Sequence, residues 1–200
     1  MINYIIRDNW LTEDECDKFY DMFTHGGFPW NLITNVNDQA DSNDFQFAHK
    51  YVDDKKELYK NSTDSIKVLM RKLYDEGFVK KDVEIYRAKA NLFLKESLNR
   101  GLGLHHDITN IGDNYSTLIY YVNTNTGGTR LLGGGFDNEI FIGSVRNRAL
   151  IVEGKVFHET ITQTDTNFRF NININYSRWE ILKMSNALVI GNGESRKWFT

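Results

Sequence analysis

The stretch RFNININY, residues 169–176, alternates without a break. Arg169, Asn171, Asn173 and Asn175 fall on one side, and Phe170, Ile172, Ile174 and Tyr176 on the other. Residues two apart share a face only in an extended strand, so this period predicts a β-strand with one apolar face. The polar face is unusual. Solvent-facing strands favour Lys, Glu and Thr, whereas here a ladder of asparagines is headed by an arginine. Two readings stand open: a face turned to water, or a polar interior that receives an anion. The second is favoured by chemistry, because a guanidinium offers a planar fork matched to a carboxylate.

A single strand cannot bury its apolar face alone, and residues from about 83 onward supply partners. VEIYRAKANLFL, YSTLIYYVNTNTGGT, NEIFIG and RALIVEG are short runs rich in β-branched and aromatic residues, separated by Gly and Asn signals. Runs at this spacing predict a sandwich or barrel. Earlier, LTEDECDKFYDMF sets Thr12 and Glu15 at capping-box spacing before a helical stripe of Leu11, Cys16, Phe19, Tyr20 and Phe23. STDSIKVLMRKLYDEG repeats Ile66, Leu69, Met70, Leu73 and Tyr74 at helical spacing, with Gly77 as the stop. The polar stretch between them reads as loops and short strands. The expectation is one domain over 1–200: helical and loop support in 1–82, a mainly β core in 83–176, and an extension in 177–200.

Composition narrows the class. Hydrophobic residues at 40% and aromatics at 14% suffice for a core, and a net charge of -3 offers no basic stripe for nucleic acid. The basic stretches VLMRKLY and FVKKDVEIYRAKA are interleaved with apolar residues and acids, and read as solvated faces. One cysteine, Cys16, excludes an internal disulfide, and its place in a helical stripe predicts a buried thiol. The N-terminus lacks the pattern of a signal peptide, and no run reaches the ~18 apolar residues of a membrane span. A cytoplasmic setting without a membrane partner is expected. NST at 61–63 fits a glycosylation sequon but, without a secretory signal, reads as a helix cap, and Trp10, Trp30, Trp179 and Trp198 read as packing residues. LLGGGFDNE reads as a turn, lacking the lysine of a phosphate loop.

The chemistry-bearing motif is LHHDITN, residues 104–110. On a strand, His105 and Asp107 share a face and His106 looks away. With five histidines in the chain, one His-x-Asp carries little weight by itself. A 2-His-1-carboxylate iron(II) site needs another histidine and leaves three adjacent positions open. His158, 51 residues beyond Asp107, allows three or four short strands in between. His49 lies before the predicted sheet and is the weaker candidate.

The order His-x-Asp, a gap of about fifty residues, His, and an arginine eleven later resembles the iron(II)/2-oxoglutarate-dependent dioxygenase superfamily. The likeness is greatest to its prolyl-4-hydroxylase-like branch, including small oxygenases of marine tailed phages. YRAKANLFL, LIYYVNTNTGGT, NRALIVEGKVFH and FRFNINI carry it, with FPW and FQFAHKY, over most of residues 28–176. The resemblance implies a double-stranded β-helix, a jelly-roll or cupin-like barrel buttressed by helices. It implies iron bound by His105, Asp107 and His158, and Arg169 on the distal carboxylate of 2-oxoglutarate. Tyr121, Asn173 and Asn91 would be further contacts of that cosubstrate. Fe(II), 2-oxoglutarate and O2 are the implied requirements, with ascorbate as a reductant.

Because Asp107 keeps a carboxylate where related halogenases have a small residue, the implied reaction is hydroxylation. The substrate would be a peptidyl residue such as proline or a small metabolite. GLGL stands where prolyl hydroxylases often have a tyrosine before the first histidine, and GGTRL lacks their residue after the glycine pair. These departures bear on the substrate and not on the metal residues. The competing function is a catalytically silent metal-binding β-helix with a structural or binding role, for example in a virion. A phage origin would place the protein in the host cytoplasm. The prime substrate and the oligomeric state are not legible in the sequence.

Overall fold

The computed structural model describes residues 4–34, 44–53, 55–57, 64–108, 114–133 and 139–178. Chain order begins with strand β1 (Tyr4–Arg7), helix α1 (Glu13–Thr24), and strands β2 (Asn31–Ile33), β3 (Gln46–Asp53) and β4 (Lys56–Glu57). Helix α2 (Asp64–Asp75) and strands β5 (Ile85–Leu94), β6 (Tyr115–Tyr121) and β7 (Gly128–Leu132) follow. β8 (Glu139–Gly143), β9 (Arg148–Glu153), β10 (Phe157–Ile161) and β11 (Phe168–Ser177) complete the series. The fold is mainly β, with antiparallel pairing throughout, in keeping with a jelly roll. Among the described residues no helix is long and apolar enough to cross a membrane.

Local sequence sets the helix ends. Thr12 caps α1: its hydroxyl accepts from the Glu15 amide at 3.3 Å, and the Glu15 carboxylate accepts from the Thr12 amide at 3.2 Å. α2 ends in a Schellman turn, in which Phe78 donates to the Leu73 carbonyl and Gly77 to that of Tyr74. Gly77 sits at φ 77°, where a side chain would be strained.

The larger sheet runs β1-β9-β6-β11-β5-β3-β2, with β4 beside β3, and the smaller runs β10-β7-β8. β1 and β3 are thus sheet members, so the first 82 residues supply strands as well as helices and loops. β1 is a four-residue run too short to signal itself, and it is fixed by pairing with the edge of β9. β10, which carries His158, was also not anticipated as a strand. It is held by pairing with β7.

Each face of the larger sheet meets a different layer. On one face Tyr120, Phe170, Ile172 and Ile174 pack with Phe19 and Phe23 of α1 and Leu69 and Leu73 of α2. Trp30 stacks on Phe170 at 5.9 Å, and Trp10 lies 6.1 Å from Tyr120. Each buried side chain of this size contributes about 1.5–3 kcal/mol. On the other face Ile119, Leu150 and Val152 meet Leu131 and Ile142 of the smaller sheet. That inner face is apolar along β1, β9 and β6 and polar along β11, β5 and β3. The asparagine ladder therefore does not see water: Arg169 and Asn175 are fully buried, and Asn171 and Asn173 nearly so.

Trp179, Trp198, the NST sequon, the end of LHHDITN and residues 179–200 lie outside the described residues, as does most of the glycine run.

Candidate metal centre

Cross-strand register aligns the inner face in rows. One row reads Tyr121, Asn171, Asn91; the next Ile119, Asn173, Lys89; the next Thr117, Asn175, Arg87. Arg169 stands opposite Phe93 beyond the first. Asp107 lies over the last two rows. Its Oδ1 accepts from Arg87 Nη2 at 2.5 Å, and its Oδ2 from Asn175 at 2.9 Å and Thr117 at 3.2 Å. Asn173 Nδ2 reaches both oxygens at 3.2 Å. Burial pushes the Asp107 carboxyl up in pKa, but the charges of Arg87 and His158 outweigh it and hold the group well below the ordinary range.

Residues 101–108 do not form the strand that their parity suggested. Single bridges tie Gly101 to Ile161 and His105 to His158, so the segment meets β10 at isolated points. His105 and Asp107 still point the same way, while His106 stacks on Phe157 at 3.8 Å and bonds the Lys155 carbonyl. The approach is close at Gly101, where an added Cβ would run into the Glu159 carboxylate. Glu159 is itself buried, ion-paired with Arg130, and accepts from the Gly103 amide at 3.2 Å. Gly103 sits at φ 90°.

The His105 and His158 rings lie 4.8 Å apart. His105 donates Nδ1–H to the Gly103 carbonyl at 3.0 Å, and His158 donates Nδ1–H to that of Val156 at 3.1 Å. Each bond fixes the tautomer that leaves a lone pair on Nε2. These Nε2 atoms stand 3.9 Å and 3.4 Å from the Asp107 oxygens, and the three donors fall within 4.8 Å of one another. His158 Nε2 is buried and faces the Asp107 carboxylate across that 3.4 Å, longer than a good hydrogen bond. With their Nε2 atoms unprotonated, two imidazoles and one carboxylate on adjacent positions would suit a divalent metal with nitrogen and oxygen preference. Burial, then the charge of His158, lowers His105 to about 4. Burial also lowers His158, but the Asp107 carboxylate outweighs it and leaves His158 raised.

The cluster opens on a cavity that also touches Asn91, Asn171 and Phe93, and beyond Phe93 the Arg169 side chain is fully buried. Its Nη2 donates to the Gly128 carbonyl at 2.9 Å, and it packs against the rings of Phe93 and Tyr121. Nε and Nη1 have no partner among the described residues. A desolvated guanidinium left half satisfied costs several kcal/mol, on the order of what a bound carboxylate would return. Burial lowers its pKa to about 10, so it stays cationic at neutral pH. Tyr121 donates its hydroxyl to Thr129 at 2.7 Å, and Asn91 donates to Asn171 at 2.7 Å. Asn91 and Asn173 each keep a buried, unpartnered Oδ1.

His49 is not brought to the cluster: it lies in register with Ala90, on the helix-facing side, against Phe28 and Tyr51. FVKKDVEIYRAKA reads as a solvated face, yet Arg87 and Lys89 stand half-buried in the polar inner rows. Their signal was present: in YRAKANLFL they fall at the same parity as Asn91, alternating with Ala88, Ala90 and Leu92.

No family model and no curated protein matches this chain. Solved structures do. An oxidoreductase of the 2OG-Fe(II) oxygenase family from Burkholderia pseudomallei aligns with TM-score 0.68 and 15% identity, covering 88% of this chain and 86% of its own. A prolyl hydroxylase from Trichoplax adhaerens, in complex with a hypoxia inducible factor peptide fragment, aligns with TM-score 0.62 and 14% identity, over 94% and 89%. HygX from Streptomyces hygroscopicus, with nickel, 2-oxoglutarate and hygromycin B bound, gives TM-score 0.59 and 10% identity, over 88% and 83%. At these identities the likeness is one of architecture: the chain has the fold of the 2OG-Fe(II) oxygenases, prolyl hydroxylases among them.

Proposed function

We propose that the chain is an Fe(II)- and 2-oxoglutarate-dependent dioxygenase built on a double-stranded β-helix, acting as a hydroxylase. One observation supports this most: the cavity lined by the three-donor cluster reaches Phe93, and against that ring packs the buried Arg169 guanidinium, with two nitrogens unpartnered among the described residues. A metal alone would leave Arg169 unexplained, and an anion alone would leave the paired Nε2 lone pairs unexplained.

In this reading His105, Asp107 and His158 hold iron(II), and Arg169 holds the distal carboxylate of 2-oxoglutarate. Tyr121, Asn173 and Asn91 complete the cosubstrate wall. Bound iron would supply activation of dioxygen, coupled to decarboxylation of 2-oxoglutarate to succinate and carbon dioxide. The protein's share is orientation and shielding. Gly103 and Val156 carbonyls hold the imidazole tautomers, four donors hold the carboxylate, and Ile119 gives the cavity an apolar wall. The substrate class extends from a peptidyl residue such as proline to a small metabolite. The Trichoplax and Streptomyces proteins, named with a peptide and with hygromycin B, illustrate the two ends of that range.

The test is incubation with Fe(II), 2-oxoglutarate and O2, with and without ascorbate, followed by assay for succinate. An Asp107→Ala variant serves as control. Succinate from the wild type alone is expected. Absence of succinate, together with no 2-oxoglutarate binding under nitrogen, rules the proposal out.

A further inference from the structure

Lys89 stands in the middle inner row, beside Asn173 of β11. It lines the cavity with His105, Asp107 and His158, half-buried on β5. Its charge is felt at His105, which places the ammonium on the cavity side of the strand. Among the described residues it makes no hydrogen bond or ion pair. The nearby acids are taken: Asp107 is saturated by Arg87, Asn173, Asn175 and Thr117, and Asp53 pairs with Lys50 at 2.7 Å. Arg87 and Lys50, flanking Lys89 along and across the sheet, add positive field, which the charges of Asp107 and Asp53 offset only in part. Burial first, then the like charge of Arg87, lowers the Lys89 ammonium to about 8. A partly desolvated cation in a cavity wall, with every neighbouring carboxylate committed elsewhere, is stabilised by an anion from outside.

That anion is not the one held by Arg169. Along β11 four residues separate Arg169 from Asn173, the partner of Lys89, or about 13 Å of strand. Lys89 is beside the metal cluster, and Arg169 is at the far end. We propose that Lys89 forms a second carboxylate subsite, and that the prime substrate is a small metabolite bearing a free carboxylate rather than an internal residue of a peptide. This rests on the oxygenase reading for the identity of the first anion, and it deepens that reading by naming the substrate class. A lysine suits the role as a compact point charge that orients one end of a small acid toward the cluster.

The experiment reads Lys89 directly. The full chain, in Mn(II) and 2-oxoglutarate under nitrogen, is reductively methylated with formaldehyde and dimethylamine–borane as hydride donor, and labelling at Lys89 is followed by peptide mass spectrometry. Saturating acetate should slow labelling about fivefold or more, and acetamide should leave it unchanged. Equal labelling with and without acetate overturns the proposal. So does full protection by 2-oxoglutarate alone, which would make Lys89 a cosubstrate contact. Lys89→Met should bind 2-oxoglutarate within about twofold of wild type, and a loss of about tenfold would overturn the proposal in the same way. Any acid found to stimulate succinate release should fail as its amide; an amide that works equally well refutes the substrate class. Calorimetry of 2-oxoglutarate with the wild type separates the two readings, since its failure removes the oxygenase proposal while Lys89 protection by acetate is still read independently.

Discussion

Arg87 Nη2 stands 2.5 Å from Asp107 Oδ1, and the same guanidinium donates through Nε to Asn175 at 3.0 Å. The carboxylate of the candidate metal site is thus tied to β5 before any cation arrives. Asp107 is almost wholly enclosed and Arg87 only partly so, at side-chain exposures of 1% and 22%. Removing the arginine would strand a buried negative charge. Arg87→Met should destabilise the metal-free protein by about 2–4 kcal/mol in urea unfolding with chelator present. Arg87→Met with Asp107→Asn should recover part of that loss, because the stranded charge is removed with it. A double variant no more stable than the single one would mean that the pair does not act as described.

The metal cluster and Arg169 should separate under mutation. Asp107→Ala or His158→Ala should lower Mn(II) affinity at least about 100-fold by calorimetry, while Arg169→Met should leave it within about threefold. Arg169→Met should instead weaken 2-oxoglutarate at least about 30-fold under nitrogen. Equal loss of both ligands in Arg169→Met would show that the guanidinium supports the fold and not the cosubstrate.

Metal should stabilise the protein more as pH rises. His158 is raised above its ordinary range by Asp107, so in the metal-free protein it contributes stability that is present at low pH and lost as pH rises through its folded pKa. A metal ion must displace the proton on Nε2, so its binding is weakest in acid. The rise in melting temperature caused by Mn(II) over chelator should therefore grow from pH 5.5 to pH 8, by thermal unfolding across that range. A rise independent of pH would exclude His158 Nε2 as a ligand.

The Gly101–Glu159 contact predicts a defect at a distance. Any side chain at 101 meets the buried Glu159 carboxylate, so either that carboxylate leaves Arg130 and the Gly103 amide or the segment leading to His105 shifts. Gly101→Val should reduce Mn(II) affinity at least about tenfold, with near-wild-type far-ultraviolet circular dichroism. Intact metal affinity would show that the His105 bridge to β10 tolerates displacement of its lead-in.

Much of this was legible in the chain itself. The Thr12–Glu15 box and Gly77 marked the ends of α1 and α2, because capping is a local matter of three or four residues. Strict alternation set the faces of RFNININY, because strand parity is likewise local. The identities of His105, Asp107, His158 and Arg169 also came from the sequence. What it could not decide was which polar face is enclosed. Alternation alone leaves Asn173 and Asn175 open to a solvent-facing reading, and it is Asp107, from the segment before β6, that covers them. Arg87 and Lys89 looked like surface charge because nothing within YRAKANLFL says that this face turns inward. The His105–His158 bridge and the four donors on Asp107 join residues 10 to 68 positions apart, and only packing of the two sheets brings them together. Periodicity gives the direction of a side chain along its own strand; its surroundings depend on what the rest of the chain places opposite.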